Sequence, residues 1–279
     1  MTTRQHLFVL WALTATAAHA QWLNFPTPST PRARDGKPNL SAPAPRINGK
    51  PDLSGVWHVK PTPLAESRRL FGDNVDKLNV PGMEADTISK YGVNILLDFT
   101  PEQSPMKPAA VELFRKRAGS DLPSSGCLPL GIPLNSLLSE PIKFVQSPRL
   151  LAILYEADDK YRQIYMDGRA LPKQFDQPSW LGYSVGKWDR DTLVVETAGF
   201  NDKAPLDIMG HPRSEALRLT ERFHRGDFGH MDAELTFDDP QLYTKPFTIK
   251  VTYELWADSD IFEYICVENE KDRAHFPAK

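Results

Sequence analysis

Trp180–Phe200, WLGYSVGKWDRDTLVVETAGF, decides how this chain folds. It reads as two short strands, Leu181–Trp188 and Thr192–Ala198, joined by the tight charged turn Asp189-Arg190-Asp191. β-Branched and aromatic residues suit a pleated, half-buried surface, and Asp-rich clusters suit turns. Glu196 falls on the row of Thr192 and Val194 and reads as a buried carboxylate candidate.

Outward from this hairpin the same grammar repeats. Upstream it predicts strands at Ile142–Gln146, Leu150–Tyr155 and Tyr161–Met166, and a first strand in LSGVW at 53–57. Downstream it predicts Ala216–His224, Gly229–Phe237, Phe247–Trp256 and Ile261–Val267. Met231, Ala233, Leu235 and Phe237 alternate with polar neighbours, as do Ile249, Val251, Tyr253 and Leu255. One dry face and one wet face is what a barrel wall requires. The expected fold is therefore mainly β, an antiparallel meander closed into a calycin-like barrel, because closure removes exposed strand edges.

The chain before Ile142 reads differently. Residues 60–141 form an expected insertion or lid, partly helical, with one helix at Pro108–Ala118 and another short one within Asp86–Leu97. Residues 21–52 are rich in Pro, Ser, Arg and Lys, too poor in large apolar groups to offset ordering entropy, and predict a disordered leader. Residues 1–20 carry Arg4, an apolar run and Ala18-His19-Ala20, the pattern of a cleaved signal peptide. That run is too short to span a bilayer, and Gln21 rather than Cys follows the expected cut, so no membrane anchor is expected. One barrel domain, 53–279, with main strands in 142–267, then makes up the exported protein, periplasmic or secreted.

Composition narrows the function. With 41% hydrophobic and 25% charged residues the chain is an ordinary globular protein. A net charge of −3, with Arg115-Lys116-Arg117 as the densest basic run, argues against nucleic acid as a partner. The mature chain's two cysteines, Cys127 and Cys266, predict a disulfide in an exported protein. No HxH, HxxxH or HExxH spacing occurs, so no metal and no other cofactor is expected.

Exceptions to the alternation nominate site residues. Glu221 interrupts the row Leu217, Leu219, Phe223, and Glu263 interrupts Ile261, Ile265, Val267. A carboxylate there must be paired, hydrogen-bonded or protonated. It is either a catalytic acid/base or half of a structural ion pair with Arg169, Arg218 or Arg222. The connection Phe200–Glu215 is long for a strand link, and long links are where binding residues concentrate. It carries Asn201 as a binding candidate and Asp207 and His211 as catalytic candidates. Tyr165 and Arg169, beside the Asp167-Gly168 turn, and the rings Trp180 and Tyr183 complete the binding candidates. Three readings stay open: a barrel whose interior binds a small, largely apolar ligand, a cofactor-independent hydrolase or lyase, and an envelope-associated module with a filled barrel.

PDLSGVW, CLPLGIP, YMDGR, SVGKWDRDTLVVETAGFN, LTERFHR and EYICVEN together resemble a family of uncharacterised exported bacterial proteins, over about Pro51 to Asp272. SGVW is also similar to the opening of lipocalin-type barrels. The resemblance implies a secreted β-rich fold and no particular activity.

Overall fold

The computed structural model describes residues 26–72, 75, 88–117, 122–264 and 266. The segment expected to be a signal peptide, residues 1–20, lies outside them. Strands β1 (Arg46–Ile47) and β2 (Lys50–Pro51) form a small hairpin. The barrel follows as β3 (Gly55–Val59), β4 (Ile142–Gln146), β5 (Leu150–Tyr155), β6 (Lys160–Tyr165) and β7 (Tyr183–Asp189). β8 (Thr192–Ala198), β9 (Arg218–Arg225), β10 (His230–Asp238) and β11 (Phe247–Leu255) complete it. These nine strands close in the order β3 to β11, with β11 pairing β3.

The meander is antiparallel at every junction but one. β6 and β7 run parallel, sharing only the register pairs Ile164↔Ser184 and Tyr165↔Val185. A parallel neighbour needs a connection longer than a hairpin turn, and residues 166–182 supply it. Ile261–Val267 differs from expectation as well. Residues 261–264 form no strand, and residues 265 and 267 are outside the described set. With β11 already paired to β3, the closed sheet offers no edge for a further strand.

The interior follows the alternation. Trp57, Phe144, Ile153, Leu193, Val195, Phe223, Leu235 and Tyr253 are all buried in one cluster. Thr192 and Glu196 point the other way; Glu196 is exposed beside buried Val195 and Thr197, so it is not the inward carboxylate. The interior expected to hold a ligand is thus lined by side chains packed in one buried cluster.

Both ends are covered. At one end the leader is docked rather than disordered over residues 26–52. Arg32 Nη1 and Nη2 donate to Asp258 Oδ2 at 2.9 Å and Oδ1 at 2.6 Å, and Arg46 makes a two-armed pair with Asp191. Phe228 and Gly229 N–H donate to the carbonyls of Ala42 and Leu40, each at 2.7 Å. A Cβ on Gly229 would sit 2.5 Å from Leu40 Cβ, so the turn tip must be glycine for the leader to approach. Few apolar groups suffice because the leader borrows its burial from the barrel, through Leu40 and Ala42.

At the other end lie α1 (Leu64–Phe71), α2 (Lys90–Val93) and α3 (Pro108–Arg117). α3 matches the predicted helix as far as the described residues run, while α2 is a single turn within the predicted Asp86–Leu97. Lys107 N–H bonds the Leu242 carbonyl and Thr244 N–H the Pro105 carbonyl, each at 2.8 Å, tying this segment to the β10–β11 connection. Tyr253 Oη donates to the Ser136 carbonyl at 2.9 Å from inside the barrel. Cys127 and Cys266 form a disulfide with their Cα atoms 5.8 Å apart.

Candidate functional site

Glu221 points into the barrel, where its partner is Arg162. The Arg162 Nη1 donates to Oε1 at 3.0 Å, and Nη2 bonds Oε2 more closely still. Arg162 Nε donates to Ser184 Oγ at 2.9 Å and Nη2 to Thr197 Oγ1 at 2.6 Å. The two side chains are 1% and 2% exposed. Burial disfavours the guanidinium charge, but Glu221's charge and hydrogen bonds outweigh it, so the Arg162 pKa lies above its ordinary value. None of the three arginines weighed as partner is the one used. Arg169 pairs with Asp167, Arg222 with Asp189, and Arg218 is exposed on the opposite face. Glu221 is thus held in a buried ion pair, the arrangement of the structural alternative, with Arg162 as its partner.

Asp207 and His211 do meet. Asp207 Oδ2 lies 2.5 Å from His211 Nδ1 and accepts the Ile95 N–H at 2.7 Å, while Oδ1 accepts the N–H groups of Gly210 and His211. Asp207 is wholly buried, and the His211 ring stacks on Phe114 of α3 at 4.4 Å between centroids. The carboxylate thus serves as the knot of the rim loop 200–215, binding it to the chain after α2. Ile208 and Met209 N–H reinforce that link through the carbonyls of Gly92 and Val93. Asn201, also buried, accepts from Arg213 Nη2 at 3.1 Å through Oδ1 and so organises the same loop.

The remaining candidates form a surface platform. The Tyr165 and Tyr183 rings stack at 5.3 Å, the Arg169 guanidinium lies 3.8 Å over Tyr165, and Arg169 Nη1 donates to Tyr183 Oη at 3.1 Å. Asp167 accepts three side-chain hydrogen bonds and one backbone hydrogen bond from Arg169, and that bonding lowers its own pKa to about 2. Trp180 borders an open groove beside this platform, with Tyr165, Tyr183, Gln163 and Lys160. Glu263 belongs to none of these groups. It is exposed on a segment whose neighbours Phe262 and Tyr264 donate N–H bonds to Glu156 and Asp159.

A larger cleft, about 590 Å³, lies where the leader meets the barrel end. Pro26, Pro28 and Pro45 form one wall, and Val56, Phe228, Leu255, Trp256 and Ala257 form the other. Arg225 closes its floor. Its Nε and Nη groups donate to the carbonyls of Asp227, Asp52, Ser54 and Phe228, and its guanidinium lies 4.8 Å from the Trp57 ring. Burial pulls the Arg225 pKa down to about 10, against the opposing charges of Asp52 and Asp227. Nothing in the sequence reading pointed here, because the wall is built from the leader and from residues just past β11. The one available signal was the near-repeat DGKPNLS at 35–41 and NGKPDLS at 48–54, which marks the leader as patterned.

Among the described residues no three His, Cys, Asp or Glu side chains converge as metal ligands would, and no helix is long and apolar enough to cross a membrane. No known protein-family model, curated protein or solved structure matches the chain.

Proposed function

We propose that the chain is an exported β-barrel protein that binds a small, largely apolar molecule in the cleft between its leader and the barrel end. One observation carries this: a cleft of about 590 Å³ lined by Trp256, Phe228, Leu255, Val56 and prolines stays open at the barrel end. Small-molecule sites fall between about 300 and 1,000 Å³ and combine an apolar wall with a few polar groups. Here Lys143, Asp258 and Asp260 at the rim would fix orientation. Export is supported by the sequence of residues 1–20, the disulfide, and the resemblance to exported bacterial proteins.

The reading is tested with the neutral dye N-phenyl-1-naphthylamine, whose fluorescence rises in apolar sites. The wild-type chain should bind it, and Ala257→Trp, which fills the cleft, should weaken binding about tenfold or more with an unchanged melting temperature. Dye binding that ignores Ala257→Trp, or no binding at all, would defeat the proposal.

A further inference from the structure

A second cleft, about 350 Å³, lies at the opposite end of the barrel, between the loop holding Cys127, the last turn of α3 and the rim loop. Its walls are Leu122, Pro123, Leu128, Trp180, Pro205 and Ile208, and its charged lining residues are Arg117 and Lys203. Among the described residues lining it none is acidic. The cleft does not depend on the leader and is separate from the apolar site proposed above.

The cations are unusually poorly compensated. Arg117 Nη2 donates to the Asp202 carbonyl at 2.7 Å, but its Nη1 is shielded from water and has no hydrogen-bond partner among the described residues. Lys203 has no carboxylate partner among the described residues; its polar contact is a backbone one, N–H to Asn201 Oδ1 at 3.2 Å. Behind them Arg213, 1% exposed, donates to the carbonyls of Asn201, Ile132 and Trp180 and to no carboxylate. Burial, then repulsion from Arg117, pulls the Arg213 pKa down to about 9. Burial likewise lowers that of Arg117, with Asp202 opposing it. Asp202 supplies an opposing charge to both arginines, and it is exposed. Of the loop's other two acids, Asp207 is spent on His211, Ile95 and Gly210, and Glu215 is exposed.

Geometry holds these charges in place. Gly210, at φ +93°, lets the rim loop approach α3 so closely that a Cβ there would lie 3.2 Å from Arg117 Cβ. The loop carrying Leu122, Pro123 and Leu128 is fixed by the Cys127–Cys266 disulfide. An unsatisfied buried guanidinium N–H is costly, and an oxyanion is the group that relieves it best, through charge-assisted bonds.

We propose that this rim cleft binds the anionic head of a small amphiphilic molecule, a carboxylate or a phosphate, with Arg117 and Lys203 on the oxyanion and Trp180, Leu122 and Ile208 against its apolar body.

The test is calorimetric titration of the full exported chain with 4-phenylbutyrate, phenyl phosphate and the neutral 4-phenylbutanol. At least one anion should bind about tenfold or more tighter than the alcohol, with an affinity that falls as salt rises. Arg117→Gln should abolish that preference and Lys203→Gln reduce it severalfold, while both variants keep the wild-type affinity for N-phenyl-1-naphthylamine at the leader cleft. Stronger binding of the carboxylate or of the phosphate assigns the head group, and either supports the site. Equal binding of acid and alcohol overturns it, as does no anion binding at about 10 mM, a millimolar-class limit. A preference that survives Arg117→Gln also overturns it. If Arg117→Gln does not fold, Lys203→Gln decides: an anion preference indifferent to that change and to salt overturns the proposal.

Discussion

Glu221→Gln would remove one charge from the most enclosed ion pair of the barrel while keeping the side chain's shape. Both partners are almost wholly shielded, at 1% and 2% exposure, so the guanidinium left behind has no water to turn to. Ser184 and Thr197 would still accept from Arg162, but neutral hydroxyls cannot balance its charge. Stranding one ion of a buried pair costs about 3–5 kcal/mol. For a domain of this size each kcal/mol moves the melting temperature by about 2–4 °C, so a fall of roughly 6–20 °C is expected. Urea unfolding measures the free energy directly. The cycle is completed by Arg162→Met and by the double variant Arg162→Met/Glu221→Leu. In the double variant Ser184 and Thr197 retain their mutual hydroxyl bond of 3.0 Å and no charge remains, so it should lie within about 2 kcal/mol of wild type or above it. A Glu221→Gln loss below about 1 kcal/mol, or no coupling in the cycle, would refute a structural ion pair in a desolvated interior.

Three further outcomes are expected. Removing residues 26–45 strips the Leu40 and Ala42 contacts and the Arg32–Asp258 pair, and should cost about 2–4 kcal/mol by urea unfolding, most of it apolar burial rather than the exposed pair. Cys127→Ser/Cys266→Ser frees a 139-residue separation and should lower stability by about 2–5 kcal/mol, with non-reducing peptide mapping of the wild type recovering the two cysteines linked. Burial, aided by Glu156 and Asp158, raises the Glu140 pKa above its ordinary value, so the folded state holds a proton that the unfolded state releases. That contribution favours the fold below the unfolded value and is lost as pH rises through the folded one. Glu140→Gln should therefore raise the melting temperature near pH 7 and shrink the wild-type gain on acidification to about pH 5; an unchanged pH profile would remove Glu140 from that account.

Most of the barrel wall was legible because its strands obey a two-residue period with a clean difference between faces. Met231 to Phe237 and Ile249 to Leu255 are buried as the alternation requires. The same rule exposed Glu221 as an anomaly, and applied once more to KYRQIY it would have exposed Arg162, on the inward row with Ile164. Ile261–Val267 misled because its apolar spacing is strand-like, whereas pairing depends on a free edge that closure had removed. The leader misled for the opposite reason: composition measures what a segment can bury by itself, and this one buries itself against the turn at Phe228 and Gly229. Of the chosen site residues, Asp207 with His211, and Tyr165 with Arg169 and Tyr183, are neighbours in space. The clefts themselves were illegible, since each is assembled from segments far apart in the chain, such as Arg117, Leu128, Trp180 and Lys203.

Closure of the barrel by β3 and β11 fixes the order in which the molecule can be finished. The strand at Gly55–Val59 has one neighbour in β4 and the other in Phe247–Leu255, so the seam joins the earliest barrel strand to the last. Contacts of such long sequence separation slow folding, because loop entropy must be overcome before they contribute. Until β11 pairs with it, β3 keeps a bare edge and the ring stays an open ribbon. Once the seam zips, the leader can dock across Arg190, Asp191 and Phe228 and latch the closed ring from outside.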